Sequence, residues 1–359
     1  MFTSRRPRAL VGVTALALAA AACGGSDAAT DPSAAESDGP PAATAYPLTI
    51  DNCGVKVTFK EPPRKVLILN GLSVGEAQSF VLLGLQGRVL ANAQFYAVSD
   101  DPTMVKGVGA LPKGGLTQNK NFDVPAEQVL KAEPDLVVSA WSGGFDAKQG
   151  LATREQLAGA GINTLVNPVN CAKGKPEADA DEKKAYTAQS VDSGLRFLTL
   201  LGRIFDVQAR AAVVVKGFRD RIDAVRTRVA GRPAKKVLIV YPGMSMMNAN
   251  GLPAVMTGGV YDDVIEAAGG VNAFAGRAED ATRSLNKEQL AAAQVDVLVV
   301  GRFTPGDAPE AEAAKLFAAF PQWNASRTKT FTVISDSAYL GPLNALGVEK
   351  IAKAVHPGG

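Results

Sequence analysis

Histidine is almost absent from this chain of 359 residues: there is one, His356, near the carboxyl terminus. A site for bare zinc or manganese needs several imidazole or carboxylate ligands converging on the ion, so direct metal binding is disfavoured and the expected cofactor is none. A serine hydrolase needs a base beside its nucleophile, and an isolated histidine at the tail does not offer one. Cysteine is scarce too, three in all, with neither a Cys-x-x-Cys pair nor the Cys/His spacing of a zinc site. Gly107-Val108-Gly109 lacks the later glycine and the preceding strand of a dinucleotide fingerprint. Charge of one sign is also missing. Lys and Arg total 38 against 35 Asp and Glu, without the clustered basic face of a nucleic-acid binder. No apolar run reaches the roughly 20 residues that span a bilayer as a helix.

What is present begins at the amino terminus. Arg5, Arg6 and Arg8 precede a charge-free stretch over 9–22, followed by Cys23-Gly24-Gly25. A basic start, a short apolar run and small residues at the cleavage point make a secretory signal. Ala20-Ala21-Ala22-Cys23 reads as a lipobox, which makes Cys23 the expected lipidation site. Residues 1–22 are then a lipoprotein signal peptide. Residues 23–47, rich in Ala, Ser, Gly, Pro and Asp, are a flexible tether that cannot bury enough surface to fold. Removing Arg5, Arg6 and Arg8 leaves 35 residues of each sign, so the basic balance belongs to the signal. An exported protein with two further cysteines is expected to pair them, here Cys53 with Cys171.

Past the tether, 47% hydrophobic composition and ample length support two domains. An internal repeat organises them. Glu127-Gln128 opens a short helical stretch, and eight positions after the Glu an Asp (Asp135) leads into Leu136-Val137-Val138; Glu288-Gln289, Asp296 and Val297-Leu298-Val299 repeat the pattern. An all-apolar strand of this kind is buried on both faces, as in a parallel sheet. Strands are expected over 65–70, 136–139, 162–166, 236–241, 297–300 and 331–334. Helices are expected over 74–83, 154–160, 260–268 and 343–355, several ended by glycine. Such alternation predicts an α/β fold with mainly parallel sheets. Between the halves, 207–229 holds no proline, and Val214, Phe218, Ile222, Val225 and Val229 form one apolar stripe. A helix of that length is a stiff strut that limits how far two lobes can close. The expected domains are an amino-terminal lobe over 48–206, a connecting helix over 207–230 and a carboxyl-terminal lobe over 231–359.

Ligands of α/β sheets gather at the carboxyl ends of strands. Those ends carry Asn70-Gly71, Trp141-Ser142-Gly143-Gly144-Phe145, Tyr241-Pro242-Gly243-Met244 and Gly301-Arg302-Phe303. Trp141 and Tyr241 are expected to face one another across a cleft as aromatic anchors. Met244 would supply adaptable apolar surface and Arg302 would meet an acidic or oxygen-rich group. Met246, Met247, Phe145 and Phe303 read as packing.

Several short segments, in order, carry a family resemblance: Thr49 to Gly54, Pro63-Arg64-Lys65-Val66, Leu83-Gly84-Leu85, Glu133-Pro134-Asp135-Leu136-Val137, Leu201-Gly202-Arg203-Ile204-Phe205, Ala268-Gly269-Gly270-Val271-Asn272 and Glu288-Gln289-Leu290. Over residues 46–356 the chain resembles the substrate-binding lipoproteins of bacterial ABC importers that capture iron-siderophores, haem and cobalamin. The resemblance implies two Rossmann-like lobes joined by a single long helix. It implies a monomer on the extracytoplasmic face of the membrane, held by its lipid alone, that delivers a chelated metal to an ABC permease dimer and is not an enzyme. By family frequency the first ligand is a ferric siderophore. Cobalamin is an alternative, since Ala140 to Gly144 resembles a cobalamin-binder segment. Haem is another, with Tyr96, Tyr241 or Tyr339 as possible iron ligands; a non-transport lipoprotein or a hydrolase ranks below these. Proteins of this class dock through one acidic residue on each lobe. The matching residues are Glu76, beside Gln78 where the family carries Glu, and Asp263 or Glu266.

Overall fold

The computed structural model describes residues 42–71, 73–94, 98–277, 282–335 and 337–358. An antiparallel hairpin of β1 (Leu48–Asn52) and β2 (Val55–Phe59) comes first. Its two-residue turn places Cys53 and Gly54 at positive φ, the geometry that matches strand twist. The first sheet then runs β4–β3–β5–β6, all parallel, from β3 (Val66–Ile68), β4 (Val89–Asn92), β5 (Leu136–Ser139) and β6 (Asn163–Val166). Helices α1 (Gly75–Leu82), α2 (Pro102–Gly109), α3 (Ala126–Lys131) and α4 (Arg154–Gly159) lie between these strands, and α5 (Ala180–Thr187) and α6 (Val191–Ile204) follow them. The long helix α7 (Gln208–Val229) leads into the second sheet. That sheet comprises β7 (Lys235–Tyr241), β8 (Ala254–Met256), β9 (Gly270–Asn272), β10 (Val297–Arg302) and β11 (Phe331–Ser335). Its order is β11–β10–β7–β8 with β9 beside β7, and only β8 runs antiparallel. Its helices are α8 (Gly259–Ala267), α9 (Lys287–Ala292), α10 (Pro309–Ala319), α11 (Asn324–Thr328), α12 (Ser337–Leu340) and α13 (Asn344–Val355). The fold is thus α/β, two parallel-sheet lobes joined by a single long helix.

The repeated aspartates have matching jobs. Asp135 accepts from the backbone N–H of Arg64 and Lys65 at 2.7 and 2.9 Å. Asp296 accepts from the N–H of Lys236 at 2.9 Å. Each carboxylate satisfies donors at the start of the neighbouring strand, where the ladder leaves them open.

Strand alternation sorts the apolar side chains into three cores. Leu136 and Val138 of β5, Val237, Ile239 and Tyr241 of β7, and Val297 and Val299 of β10 face a core shared by both lobes with α6, α7, α8 and α13. Val137 points to an outer core of the first lobe, while Leu238, Leu298 and Val300 point to an outer core of the second. Helix α7 lies on the shared core through Ala211, Val215, Phe218, Ile222, Val225 and Val229. Val215, one position beyond the expected Val214, is buried in that stripe, and Val214 is only half-buried beside it.

The lobes also meet along a second seam. A Cβ built on Gly341 would lie 2.8 Å from the Cα of Gly75. Gln78 Nε2 donates to Ser337 Oγ at 3.2 Å and Ser337 Oγ donates to the Val98 carbonyl at 3.2 Å. Asp100 accepts from Ser335 N–H at 2.9 Å and from Lys350 Nζ at 2.8 Å.

Two local differences from the sequence expectation bear on the site. The strand expected over 65–70 stops at Ile68, and Asn70 lies beyond it. The stretch 167–190, for which the sequence offers no element, contains α5, opened by a reciprocal cap in which Asp179 and Glu182 bond each other's N–H.

Candidate functional site

A cleft of 610 Å³ opens between the segment after β6 and the upper edge of the second sheet. Its volume falls in the ordinary range for small-molecule sites. The amino-terminal lobe contributes Gly71, Asn170, Lys173, Tyr186, Thr187 and Gln189. The other lobe contributes Met244, Met247, Met256, Tyr261 and Phe303, with Arg277 and Arg283 at the same wall. No carboxylate, imidazole or thiol appears among the described lining residues.

The Lys173 segment is tied down at several points. Cys171 is bridged to Cys53 of the hairpin turn, 118 residues earlier, with Cα atoms 5.2 Å apart. Ser142 Oγ donates to the Cys171 carbonyl at 2.7 Å and Gly143 N–H donates to the Lys173 carbonyl at 3.2 Å. The Trp141 ring lies against Gly143 and Gly174; a Cβ on Gly174 would come within 2.7 Å of the indole. Gly174 also has φ +69, so a side chain there would be strained as well as crowded. Asn170 Nδ2 donates to the Ala140 carbonyl and receives Gln189 Nε2 on its oxygen, both at 2.8 Å. Lys173 itself lies over the Tyr186 ring, 5.8 Å from its centre.

Across the cleft, Gly258 and Gly259 hold positive φ at the N-cap and first residue of α8 and bring Tyr261, in the first turn, to the wall. Phe303 is set by Asp307, whose carboxylate accepts the N–H of Phe303 at 2.7 Å and of Thr304 at 2.9 Å. Met244 and Met247 lie on the 3-10 turn Pro242–Met247, and Met256 ends β8.

Of the residues expected from sequence to meet ligand, the structure brings Met244 to the cleft. Trp141 and Tyr241 do not face each other across it. Tyr241 is 1% exposed, because alternation along β7 turns it inward with Val237 and Ile239, and its ring packs beneath Gly301. Trp141 and Ser142 sit behind the Lys173 segment and shape it from the rear. Tyr339 is 2% exposed with its ring 5.0 Å from that of Tyr261, and burial pushes its hydroxyl well above the usual tyrosine range. Asn70 and Arg302 are half-buried outside the lining. Tyr96 and Cys23 lie outside the described residues. Lys173, Tyr186, Tyr261 and Arg277 carry no strand-end signal in the sequence; the paired glycines before α8 were the available hint for Tyr261. Met247 and Phe303, read as packing, line the cleft.

The expected docking acids fare unevenly. Glu76 is 1% exposed and is therefore no docking residue. Its carboxylate accepts Asn167 Nδ2 at 3.0 Å and Gln94 Nε2 at 2.9 Å. Burial pushes its pKa up, against the pull of those two hydrogen bonds. Gln78 is buried in the inter-lobe seam. Asp263 accepts the N–H of Val191 at 2.7 Å and so caps α6. Glu266 is exposed.

One motif resembles hydrolase machinery. Gly71-Leu72-Ser73-Val74-Gly75 has the spacing of a nucleophile elbow and lies between β3 and α1. Ser73 is 1% exposed, however, and its Oγ accepts Gly75 N–H at 3.0 Å. The one histidine, His356, caps the far end of α13. The Ser73 hydroxyl donates only to the Leu340 carbonyl at 3.4 Å, and it has no base among the described residues.

Comparison with curated proteins finds none that matches. Solved structures share the fold. A protein of an Fe3+-hydroxamate transport system from Saccharomonospora viridis aligns with a TM-score of 0.61 at 24% identity, over 86% of this chain and 99% of that one. A periplasmic binding protein from Veillonella parvula gives 0.64 at 16%, over 86% and 97%. The haem-binding protein HutB of Vibrio cholerae gives 0.57 at 18%, over 82% and 99%. The family model described as "Periplasmic binding protein" matches residues 72–331. Its members are extracytoplasmic solute carriers that serve ABC importers and transform nothing. With two lobes about a cleft and a nucleophile motif buried without its base, this chain belongs to the periplasmic binding protein family.

Proposed function

We propose that this chain is a lipid-anchored solute-binding protein that captures a chelated metal, in the first instance a ferric siderophore, and hands it to an ABC permease dimer. The observation that carries the reading is the chemistry of the cleft. Lys173, Arg277 and Arg283 line it together with aromatic rings and thioethers, and no acid is found among the described lining residues. A bare cation would meet the positive side chains of Lys173 and Arg277 there. A metal wrapped in anionic oxygen donors on an organic frame would meet both charge and apolar surface. The structural neighbours from an Fe3+-hydroxamate transport system and from haem binding agree with this class of cargo. The anchor is Cys23, with residues 23–41 as the leash; 42–47, expected in the tether, are instead tied to the first lobe, where Thr44 N–H donates to Asp206 and the Tyr46 hydroxyl to the Ile204 carbonyl, both at 2.7 Å. A stable hold needs more than one acyl chain.

A haem reading has one observation in its favour. Tyr186 and Tyr261 bring phenols to the cleft wall, and a phenolate can ligate haem iron.

Titration of the purified mature protein separates these readings. A ferric trihydroxamate, a ferric triscatecholate, haem and cyanocobalamin are added in turn while the melting temperature is followed. A cargo at a hundredfold excess over its Kd stabilises by about 2.7 kcal/mol. No shift with any of the four overturns the chelate reading. A Soret change with haem that is lost on Tyr261→Phe selects haem. Mass spectrometry of the amino-terminal peptide from membranes tests the lipid on Cys23.

A further inference from the structure

The chain has six methionines, and their placement is uneven. Apart from the initiator and Met104, the remaining four, Met244, Met246, Met247 and Met256, fall between 244 and 256. Pairing of β7 with β8 sets Met256 opposite Ile239 and Ala254 opposite Tyr241. The start of β8 thereby lies beside the turn that carries the other three, and Met256, two residues further along, faces the same cleft. Met244, Met247 and Met256 line the cleft, and Met246 is 80% exposed. Met104 is 7% exposed in the core of the first lobe. Elsewhere the exposed large apolar side chains among the described residues are Val, Leu and Phe. Those residues would fill the same wall. Methionine differs from them in its flexibility and in carrying an oxidisable sulfur.

We propose that Met244, Met247 and Met256, with the exposed Met246 beside them, form a cluster that peroxides convert to sulfoxide, and that this modification of the cleft wall lowers its affinity for ligand until a methionine sulfoxide reductase restores it. In each event a sulfur lone pair attacks one peroxide oxygen. The S–O bond forms as the O–O bond breaks, and the departing hydroxide takes the proton of the transferred oxygen to become water, leaving the sulfoxide. Sulfur loses two electrons and the peroxide gains them. A flexible apolar side chain becomes a polar one, so the face that held an organic frame by burial is hydrated instead. Cys53 and Cys171 are joined, so no free thiol among the described residues competes for the oxidant.

This inference rests on the cleft being the ligand site proposed above. The anilinonaphthalene sulfonate dye ANS, which is anionic and aromatic, serves as the probe and does not depend on which chelate is the natural cargo. The mature protein is treated with graded hydrogen peroxide. Peptide mapping gives the rate of sulfoxide formation at each methionine, and dye titration gives the affinity. Sulfoxide is expected at 244–256 well before Met104. Dye affinity is expected to fall by about fivefold or more, the scale of losing a buried methyl-sized contact. Incubation with reductases for both sulfoxide epimers is expected to restore it. The combined Met244→Leu, Met246→Leu, Met247→Leu and Met256→Leu variant keeps its affinity through peroxide; if it does not fold, the Met247→Leu and Met256→Leu single variants, each losing part of the response, take its place. Full sulfoxide at the four positions with unchanged affinity overturns the proposal. So does oxidation of Met104 at the same rate, or no dye binding before treatment. A chelate that fails to bind untreated protein would instead count against the cargo reading alone.

Discussion

Gly75, at the start of α1, and Gly341, just after α12, meet backbone to backbone across the lobe interface, with no room for a side chain on either. Together with Asp100, which holds Ser335 and Lys350, this contact gives the lobes a second point of attachment besides α7.

Widening that contact is expected to loosen the pair. Gly341→Val puts branched carbon into the Gly75 backbone and costs about 1–3 kcal/mol, as overpacking does. The melting temperature falls and the scattering radius of the ligand-free protein grows. In the wild type, with α7 unbroken by proline and the seam intact, the radius changes little when cargo binds. A large compaction on binding would refute the stiff-strut picture.

Glu76 makes stability depend on pH in a direction opposite to that of a salt-bridged acid. Its folded pKa is raised by burial, so between the unfolded value near 4.3 and the raised folded value the native state holds the extra proton. Stability from this group is fully present below the unfolded value and declines as pH rises through the folded one. Glu76→Gln removes that decline. Asn167 Oδ1 has no partner among the described residues, so a flip of its amide would let it accept from the new one. The variant is expected to be more stable than wild type by about 1 kcal/mol at pH 8 and equal at pH 4, measured by urea unfolding.

Breaking the Cys53–Cys171 bridge frees a loop of over a hundred residues. In the chain-entropy model the cost is about 4 kcal/mol. Because Cys171 also anchors the segment carrying Lys173, the Cys53→Ser and Cys171→Ser double variant is expected to lose dye affinity as well as melting temperature. Intact affinity in the reduced protein would show that Ser142 and Trp141 suffice to hold that segment.

Lys173→Glu tests the charge of the cleft. A reversed charge within reach of an anionic cargo is expected to weaken binding by about tenfold at low salt and by less at high salt. Equal affinity at both ionic strengths would remove Lys173 from the site.

Glu266 is the exposed acid on α8, and we propose it as the docking residue of the second lobe. Glu266→Lys is expected to slow uptake in cells while the affinity of the isolated protein stays within twofold or so. Uptake at the wild-type rate would exclude it.

What the sequence made legible follows the range of the forces involved. The repeat around Asp135 and Asp296 was readable because each carboxylate acts on a strand start through local, repeated backbone geometry. The α7 stripe was readable from its period. Tyr241 was misjudged as an anchor although the alternation of Val237, Ile239 and Tyr241 already placed it on the inner face; the chemistry of an aromatic at a strand end outweighed the period. Glu76 was misjudged because its burial depends on Gln94 and Asn167, brought in from β4 and β6. Lys173 and Tyr186 could not be found at all. Their place is set by a cross-link spanning 118 residues and by an indole wedged between glycines, neither of which leaves a periodic trace.

One apolar core runs from Ile50 to Val355 through both lobes, so each lobe, beside its own outer core, buries apolar surface that it shares with the other. Heat is therefore expected to melt residues 48–355 in a single calorimetric transition, with van't Hoff and calorimetric enthalpies in agreement. A chain cut between α6 and α7 would yield two halves that precipitate separately, each with its share of that core turned to water.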